Sequence, residues 1–429
     1  MTLCHISSSR ANFFRRHILT VGIGLAVSFN SFAQNWSFSG FGNLGYVYEN
    51  SDSLGFLGDM TQKADHTTNG SFLPDSRLGV QASYVSDSSW MFTTQYVLED
   101  RAGDEVLDGL KLAFFAYDYD ETLNFRLGRI GFDTFLNTDT RSVDFAHTWI
   151  RPPMEVYGWA PLPSLDGIDA TYRFYYGELD WALTGQFGHT EVATDLVEES
   201  SPVRFKGSPA FSVSLSASKP FWTARVSYAR LSASSDFPYQ VEQLHQALEA
   251  VQQSNLGPIS EEAVYLYDNL QVSGSTVHYY HAGVEFNDGN WLTSTELVRV
   301  KTDRAALANG WAGYLLVGHR FGDFTPYLIG SKFKRANDLI EEQQDWSLVS
   351  AELGGLQDTT VLAANSKMIE QQTLSLGMRW DITPTTSLKA QADWTSISDG
   401  GFGLWATQTG DDLSAREVQT YSVALSFLF

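Results

Sequence analysis

The residues that follow a strand-like segment at Phe125–Phe132 are the part of this sequence best suited to do chemistry. Here five aromatic residues accompany several acids and the pair Pro152-Pro153. A loop in solvent does not need so many apolar side chains, whereas a loop folded into an enclosed space does. Its acids would then face the enclosing wall; they are Asp133, Asp139, Asp144 and Glu155.

Basic residues elsewhere in the chain have the spacing needed to face those acids. Side chains in a strand alternate between two faces, and each of these cations alternates with apolar neighbours, as Arg126 does between Phe125 and Leu127. Opposed charges across a narrow gap create a transverse field that orients water and passing dipoles. The cations with this spacing are Arg77, Arg126, Arg173, Arg225, Arg320, Arg379 and Lys389.

The same charges could instead form ion pairs that hold the loop to the wall, and the sequence leaves both interpretations open. The residues that we expect at the narrowest point are Arg77, Arg126, Asp139 and Asp144. Arg129 lies two residues after Leu127 and therefore on the same face of the strand as that apolar residue. Its side chain is expected at the outer rim of the enclosed space. Two further loop cations, which either clamp the loop or contact anions, are Arg141 and Arg151.

Catalytic motifs are absent from the sequence. It has no Gly-x-Ser-x-Gly nucleophile elbow, no His-Glu-x-x-His and no phosphate-binding loop. His278 and His281 lie three residues apart on a strand-like segment, hence on opposite faces, which makes them a poor metal pair. We therefore expect no enzyme activity and no cofactor. An enzyme or an adhesin built on the fold that is predicted below is kept as the alternative of another class.

The N-terminus has the features of an export signal. Arg10, Arg15 and Arg16 precede a short apolar run, and Ser31-Phe32-Ala33 offers small residues for cleavage after Ala33. We expect residues 1–33 to be a signal peptide and 34–429 to be one domain. Removing the signal takes away the only cysteine, Cys4, and changes the formal net charge from −22 to −25. So acidic a chain is a poor candidate for binding nucleic acid.

Short segments with alternating apolar residues recur along the whole chain and predict sixteen strands. Each is close to the 9–11 residues that a tilted strand needs to cross a bilayer. They are Trp36–Tyr48, Arg77–Val85, Trp90–Leu98, Leu110–Tyr117, Leu123–Ile130, Ile168–Phe174, Leu179–Phe187, Phe211–Ala217, Trp222–Arg230, Val277–Phe286, Trp291–Val300, Trp311–Phe321, Phe324–Phe333, Leu374–Trp380, Leu388–Trp394 and Val418–Phe429.

The connections between these segments alternate between tight turns and long loops. Turn residues such as Asn287-Asp288-Gly289 mark seven short connections, and eight longer links lie between them. This pattern is typical of an all-β, transmembrane, antiparallel up-and-down β-barrel with turns on one side and loops on the other. The terminal strand, which ends on Phe429, is predicted to close the barrel against the strand that begins near Trp36. Fourteen or eighteen strands and a soluble all-β fold remain as alternatives.

The sequence resembles the Gram-negative outer-membrane porins in three places. A Gly-Arg pair, Gly128-Arg129, closes the fifth strand, a long third loop follows it, and the chain ends on a strand with a terminal Phe. The resemblance implies a homotrimer of water-filled barrels in the outer membrane that pass small hydrophilic solutes. It also implies that the third loop folds into the lumen as a constriction.

Two long loops are strongly acidic. Residues 233–275 contain six acids and no Lys or Arg, and residues 338–358 contain six more. Such a rim would concentrate cations, and it could hold divalent ions that bridge to lipopolysaccharide phosphates; charge that merely keeps the loops solvated is the alternative. The acids are Asp236, Glu242, Glu249, Glu261, Glu262, Asp268, Asp338, Glu341, Glu342, Asp345, Glu352 and Asp358.

One of these loops also carries an apolar spacing typical of a helix. Val241, Leu244, Leu248 and Val251 predict a short helix over Tyr239–Ser254, packed over the loop. Taken together, the sequence predicts a porin for passive diffusion of small hydrophilic solutes and ions, with a preference for cations. A channel selective for a sugar or another small solute is the alternative.

Overall fold

The structure of the chain is a computed structural model that describes residues 35–429, apart from 52, 65–68, 161, 196–201, 236–238, 306, 367, 402 and 408–412. The chain divides into two compact units, Met1–Ser37 and Phe38–Phe429. Of the first unit only residues 35–37 are described, so the predicted signal peptide lies outside the described residues. No described helix has the length and apolar character needed to cross a membrane.

Sixteen long strands form one closed antiparallel barrel in the part of the chain that the structure describes. The strands are β1 Trp36–Glu49, β2 Arg77–Val85, β3 Trp90–Glu99, β4 Leu110–Asp118, β5 Leu123–Gly131, β6 Ser164–Tyr176, β7 Leu179–Thr194, β8 Val203–Lys219, β9 Trp222–Ser235, β10 Ser275–Asn287, β11 Trp291–Lys301, β12 Gly310–His319, β13 Phe324–Arg335, β14 Gln371–Thr383, β15 Thr386–Ile397 and β16 Arg416–Leu428.

Every strand that the sequence predicts is therefore present, and most extend further at the loop end than the alternation indicated. Among the described residues, three additional two-residue strands lie in loops, at Leu54–Gly55, Gly70–Ser71 and Ala406–Thr407. The first and third pair with each other, and Gly70–Ser71 pairs with β1.

The barrel closes between its first and last strands. Phe41 lies opposite Leu428, and the register continues to Glu49 opposite Thr420. The backbone N–H groups of Gly40 and Phe429 each donate to the carbonyl oxygen of the other residue, at 2.8 and 3.0 Å. The terminal Phe429 thus belongs to the ladder that removes the free edge of the sheet, as a barrel in lipid requires.

The two faces of the wall differ in polarity, as the period-2 pattern predicted. Many outward-facing side chains are exposed and apolar, including Leu78, Leu98, Leu127, Leu297 and Leu376. Aromatic pairs lie at the turn end of the barrel, such as Phe324 stacked on Trp380 with ring centroids 5.6 Å apart. Many inward-facing side chains are buried and polar, among them Asn43, Asp169, Gln186, Ser212 and Asp393.

Short helices occupy the long connections. Helix α1, Met154–Tyr157, lies between β5 and β6; α2, Tyr239–Gln253, and α3, Pro258–Leu270, lie between β9 and β10; and α4, Ala351–Asn365, lies between β13 and β14. Helix α2 agrees with the predicted helix, whereas α3 and α4 were not predicted. A shared apolar cluster joins α2, α3 and α4 around the buried Trp346.

Candidate functional site

The connection between β5 and β6, residues 132–163 and here called the inner loop, packs inside the barrel. Five of its aromatic residues are buried in one cluster with side chains of the barrel wall; they are Phe132, Phe135, Trp149, Tyr157 and Trp159. Phe135 stacks on Tyr157 with 4.5 Å between ring centroids. The aromatic content of this segment therefore serves to bury it against the wall, as the sequence predicted.

One side of the inner loop is anchored to strands β8–β12. Asp133 accepts a hydrogen bond from Ser214 at 2.5 Å and forms an ion pair with Arg225. Ser227 donates to the carbonyl of Thr134 at 3.0 Å. The buried Glu296 accepts from the backbone of Leu136 at 2.9 Å, which ties the loop to β11.

Glu296 lies at the centre of a fully buried polar network. His281 lies 2.7 Å from its carboxylate, Tyr314 donates to it at 2.8 Å, and Tyr157 of the inner loop also donates to it. A buried carboxylate is stable only when its oxygens are satisfied by donors. This network therefore fixes the position of Tyr157, and with it the middle of the inner loop, relative to the wall.

The other side of the loop is anchored to strands β13–β16. Glu155 accepts from Ser331 at 2.7 Å, from Gln371 at 2.8 Å and from Thr373 at 2.5 Å. Lys389 donates to the carbonyls of Asp144 and Trp149 at 2.6 and 2.9 Å. Cations on β14 and β15 thus bind backbone carbonyls of the loop, since Arg379 donates in the same way to Phe145 and His147.

Arg151 is the most deeply buried cation of the inner loop. Its guanidinium contacts the carboxylates of Asp75, at 2.7 and 3.0 Å, and Asp393, at 2.9 Å, and it also donates to Ser422. Its side chain is 5 % exposed, and those of Asp75 and Asp393 are 2 % and 8 % exposed. One side chain thus joins the loop, the segment before β2, β15 and β16.

A small cavity remains between the inner loop and strands β3 and β4. Gln95 and Lys111 line it from the wall, and Thr138, Asp139 and Arg141 line it from the loop. Asp139 is exposed and, within the described part of the chain, forms no ion pair within 4 Å. The cavity, with a volume of about 30 Å³, is therefore bordered by apolar side chains and by groups that can exchange hydrogen bonds with water.

A chain of ion pairs leads from the buried side of the loop to this cavity. Asp144 contacts Arg77 at 3.1 Å, Arg77 contacts Glu99 at 3.5 Å, and Glu99 contacts Lys111 at 2.6 Å. Burial raises the pKa of Asp144 to about 6, although the positive charge of Arg77 opposes the shift. Burial therefore favours the neutral form of Asp144, and the charge of Arg77 favours the ionised form.

The structure brings some of the predicted site residues together and separates others. Arg77 meets Asp144 directly, whereas Arg126 pairs with Asp169 on the neighbouring strand at 2.6 Å. Arg173 is exposed near the turn end of β6, away from the loop's anchors. The predicted charges that bind the loop to the wall by side-chain or backbone contacts are Arg77, Arg225, Arg379, Lys389, Asp133, Asp144 and Glu155.

The remaining predicted cations lie at the edges of the barrel or within the loop. Arg129 pairs with Asp166 at 2.6 Å, with both side chains partly exposed on outward positions, in agreement with the expected rim location. Arg320 lies near a turn, 3.8 Å from Asp381. Arg141 donates to the carbonyl of Tyr157 at 2.8 Å and so clamps the loop internally.

Several important residues were missed because strand parity was applied only to the cations. Asp169 lies between Ile168 and Ala170, and Glu296 lies between Thr295 and Leu297, so both have the inward parity that singled out Arg126. Asp393 has the same position on β15. Parity applied to the acids would have identified the partners, although not which cation each of them meets.

The acidic loops form a cap of packed helices, and one of their acids is structural. Glu262 is 2 % exposed and accepts from the backbone of Gln343 and Gln344, from Trp346 and from Gln357, at 2.7–3.0 Å. Its assignment to a solvent-facing rim is therefore wrong, because this carboxylate joins α3 to the loop before α4. Of the other eleven predicted rim acids, all but Asp236, which lies outside the described residues, are exposed.

The described residues contain no group of three or more His, Cys, Asp or Glu side chains placed to hold a metal ion. No protein-family model matches the sequence. No curated protein matches it either.

Solved structures do match the fold. OmpF of Salmonella typhi, in a complex with daunomycin, aligns with a TM-score of 0.50 and 12 % identity over 92 % of this chain and 98 % of that one. The outer membrane channel DcaP of Acinetobacter baumannii aligns with a TM-score of 0.50 and 12 % identity over 92 % of this chain and 97 % of that one. At this identity the similarity shows the barrel fold alone.

Proposed function

We propose that this protein is an outer-membrane porin that lets small hydrophilic solutes and ions diffuse passively. The observation that carries the proposal is the inner loop, which is anchored inside a closed barrel and borders a small cavity against β3 and β4 that both polar and apolar side chains line. A closed barrel with an apolar outside and a polar inside suits a membrane-spanning water path. The loop would set the width of that path.

A preference for cations follows from the distribution of charge. Asp139 is exposed at the cavity, and ten exposed carboxylates lie on the two acidic loops. The full chain has a formal net charge of −22. Clustered negative charge raises the local concentration of cations and lowers that of anions, more strongly at low ionic strength.

Three further expectations belong to this proposal. The protein is exported with removal of residues 1–33, it assembles as a homotrimer, and its loop end lies in the outer leaflet in contact with lipopolysaccharide. The mass of the purified chain tests the cleavage site after Ala33. The mass of the assembly, measured in detergent without heating, tests the trimer.

Planar-bilayer recording tests the conduction itself. Purified protein added to one chamber should produce stepwise increases in current. In a KCl gradient, the sign of the reversal potential should show that K⁺ permeates more readily than Cl⁻. Membranes that stay silent while the protein is folded and inserted would contradict the proposal and favour a barrel enzyme or an adhesin.

A channel selective for one class of solute is the second candidate. It is favoured by the extent of the inner loop, which contacts β2 and most strands from β8 to β16 and leaves a cavity smaller than an open barrel would have. Liposome swelling with sugars and amino acids of graded size separates the two candidates. A general porin gives rates that fall smoothly with solute size, whereas a selective channel admits one class much faster than others of equal size.

A further inference from the structure

The outer wall of the barrel contains a groove over strands β11–β15, here called the outer groove. Its volume is about 740 Å³. Leu297, Leu315, Leu374 and Trp394 border it, and their side chains are 40–55 % exposed. Gly330 lies among them, and a Cβ added there would meet no other atom within 4 Å. The absence of a side chain at Gly330 leaves this part of the groove open.

The outer groove is polar at its loop end. Lys332 and Gln372 lie there, and the Lys332 ammonium donates to the Gln372 side chain at 3.3 Å. Lys334 lies two residues further along the same face of β13, opposite Trp311. Because a tilted strand climbs about 2.5 Å per residue, Lys332 lies about 20 Å above the aromatic Phe324 at the turn end. Lys334 lies about 25 Å above Phe324 on the same estimate, which is the height of the apolar band of an outer-membrane barrel, so Lys334 lies at the upper boundary of that band and Lys332 just below it.

Four outward-facing cations on this wall form no ion pair in the part of the chain that the structure describes. Among the described residues, no carboxylate lies within 4 Å of the charged groups of Arg230, Lys301, Lys332 or Lys334, and all four side chains are exposed. Register places Arg230 and Lys301 on either side of His278, on the outward face of β9–β11. Arg129, an outward cation on β5, is by contrast paired with Asp166.

We propose that the outer groove is a docking site for lipopolysaccharide. An acyl chain lies over Gly330 between the leucines, and Lys332 and Lys334 bind a phosphate of the same molecule. The apolar groove and the row of unpaired cations match, in that order, the tail and the headgroup of a phosphorylated lipid in the leaflet that faces the long loops. This site differs from the acidic loops, where any contact with phosphate would need bridging cations. It uses only the outer wall and does not depend on conduction.

Native mass spectrometry of the intact protein in detergent tests the site, with bisphosphorylated lipid A as the probe. Each lysine near an anionic headgroup contributes about fivefold in affinity. The double variant Lys332→Gln/Lys334→Gln should therefore bind lipid A more than tenfold more weakly than the unmodified protein. Gly330→Leu, which fills the groove and keeps both charges, should also weaken binding.

Matched controls separate the site from general effects on the barrel. Lys219→Gln removes an exposed lysine near the turn end, and Gly185→Leu fills another outward glycine that has open space around it. Both controls should bind lipid A like the unmodified protein. A shift in gel mobility on heating, identical for all variants, shows that the barrels are folded.

Two results would overturn the proposal. One is that the double lysine variant, or Gly330→Leu, binds lipid A as strongly as the unmodified protein does. The other is equally strong, lysine-dependent binding of phosphatidylglycerol, which would assign the groove to a general anionic phospholipid. Silent bilayers with intact lipid A binding would refute the channel proposal and leave this one standing.

Discussion

At the scale of single residues, the charges of the candidate site divide into anchors and exposed groups. Asp133, Glu155 and Arg379 are occupied by contacts that hold the inner loop, whereas Asp139 faces the cavity without an ion-pair partner among the described residues. Asp133 and Arg379 have counter-charges, in Arg225 and Asp381, so their fields at a passing ion are small. Glu155 is 1 % exposed and its carboxylate is held by neutral donors. Selectivity is therefore expected to depend on Asp139 more than on the paired charges.

Replacing Asp139 by Asn should lower the cation preference of the channel. One unit charge at about 4 Å changes the energy of an ion by about 1 kcal/mol in water, which corresponds to about a fivefold lower permeability ratio of K⁺ to Cl⁻. The reversal potential in a KCl gradient measures this ratio. Asp87→Asn, in an exposed turn at the opposite end of the barrel, is the matched control and should leave the ratio unchanged. An unaltered potential for Asp139→Asn would rule out its role at the constriction.

Asp144 should make the selectivity depend on pH. Its pKa is about 6, raised by burial, so the carboxyl is ionised above that pH and becomes neutral as the pH falls through it. Protonation removes one negative charge beside Arg77 and Lys389, leaving Glu99 and Asp75 as the acids of this cluster. The positive charge that remains should reduce cation preference between pH 7.5 and pH 5.

Reversal potentials measured across that pH range test this prediction, with a midpoint expected near pH 6. Asp144→Asn should abolish this pH dependence and keep the reversal potential at the value that the unmodified protein has at pH 5. The reason is that the variant has the same charge as the protonated residue. The change of reversal potential with pH should persist in Glu342→Gln, which removes an exposed acid of the cap. Equal pH dependence in Asp144→Asn and the unmodified protein would show that another group titrates.

At the scale of elements, the strands could be predicted from the sequence and the arrangement of the inner loop could not. Alternation of side chains is a local property, so Trp36–Glu49 and Phe324–Arg335 are recognisable without knowing their neighbours. The aromatic content also predicted that the inner loop is buried. Its anchors were not predictable, since Glu155 meets Thr373 across 218 positions of sequence.

The missed helices have a related physical reason. Helix α4 contains glycines and has a weak apolar periodicity, and it is held mainly by its contacts in the cap. Helix α3 begins with a proline in its first turn, a helix-start signal that apolar spacing alone does not detect. Glu262 appeared to be one more rim acid, because nothing local distinguishes a buried carboxylate from its exposed neighbour Glu261.

The inner loop should lose its position when Arg151 is replaced by Met. Both Asp75 and Asp393 would then be buried without a counter-charge, and removing one partner of such a pair costs about 3–5 kcal/mol. We expect lower resistance to urea, faster proteolysis within residues 132–163 and noisier channel currents. Arg304→Met, which breaks the more exposed pair with Asp268, should cost at most about 1 kcal/mol. Equal urea resistance and equal proteolysis of the two variants would show that Arg151 is not the anchor.

At the scale of the whole molecule, the closed ladder between β1 and β16 sets every other property. The barrel has an inside only because its first and last strands pair, and the inner loop has a wall to bind only because the barrel has an inside. Closure also defines the outward positions on which the outer groove lies. The register of this one strand pair is therefore the most informative single test of the architecture.

A disulfide across the closing strands should form without disturbing the barrel. Asn43 and Ser426 are register partners whose side chains are hydrogen-bonded at 2.6 Å, and facing residues of antiparallel strands have the Cα separation that a disulfide needs. In a background with Cys4→Ser, the pair Asn43→Cys/Ser426→Cys should oxidise readily and close a covalent loop between positions 43 and 426. Unreduced protein should then migrate faster after boiling, and a digest should show positions 43 and 426 in one linked peptide.

The pair Asn43→Cys/Ser422→Cys is the control. It lies on the same inner face but is displaced by four residues, about 13 Å, and should stay reduced. Efficient linkage of that displaced pair, or none at 43 and 426, would mean that the barrel does not close in this register.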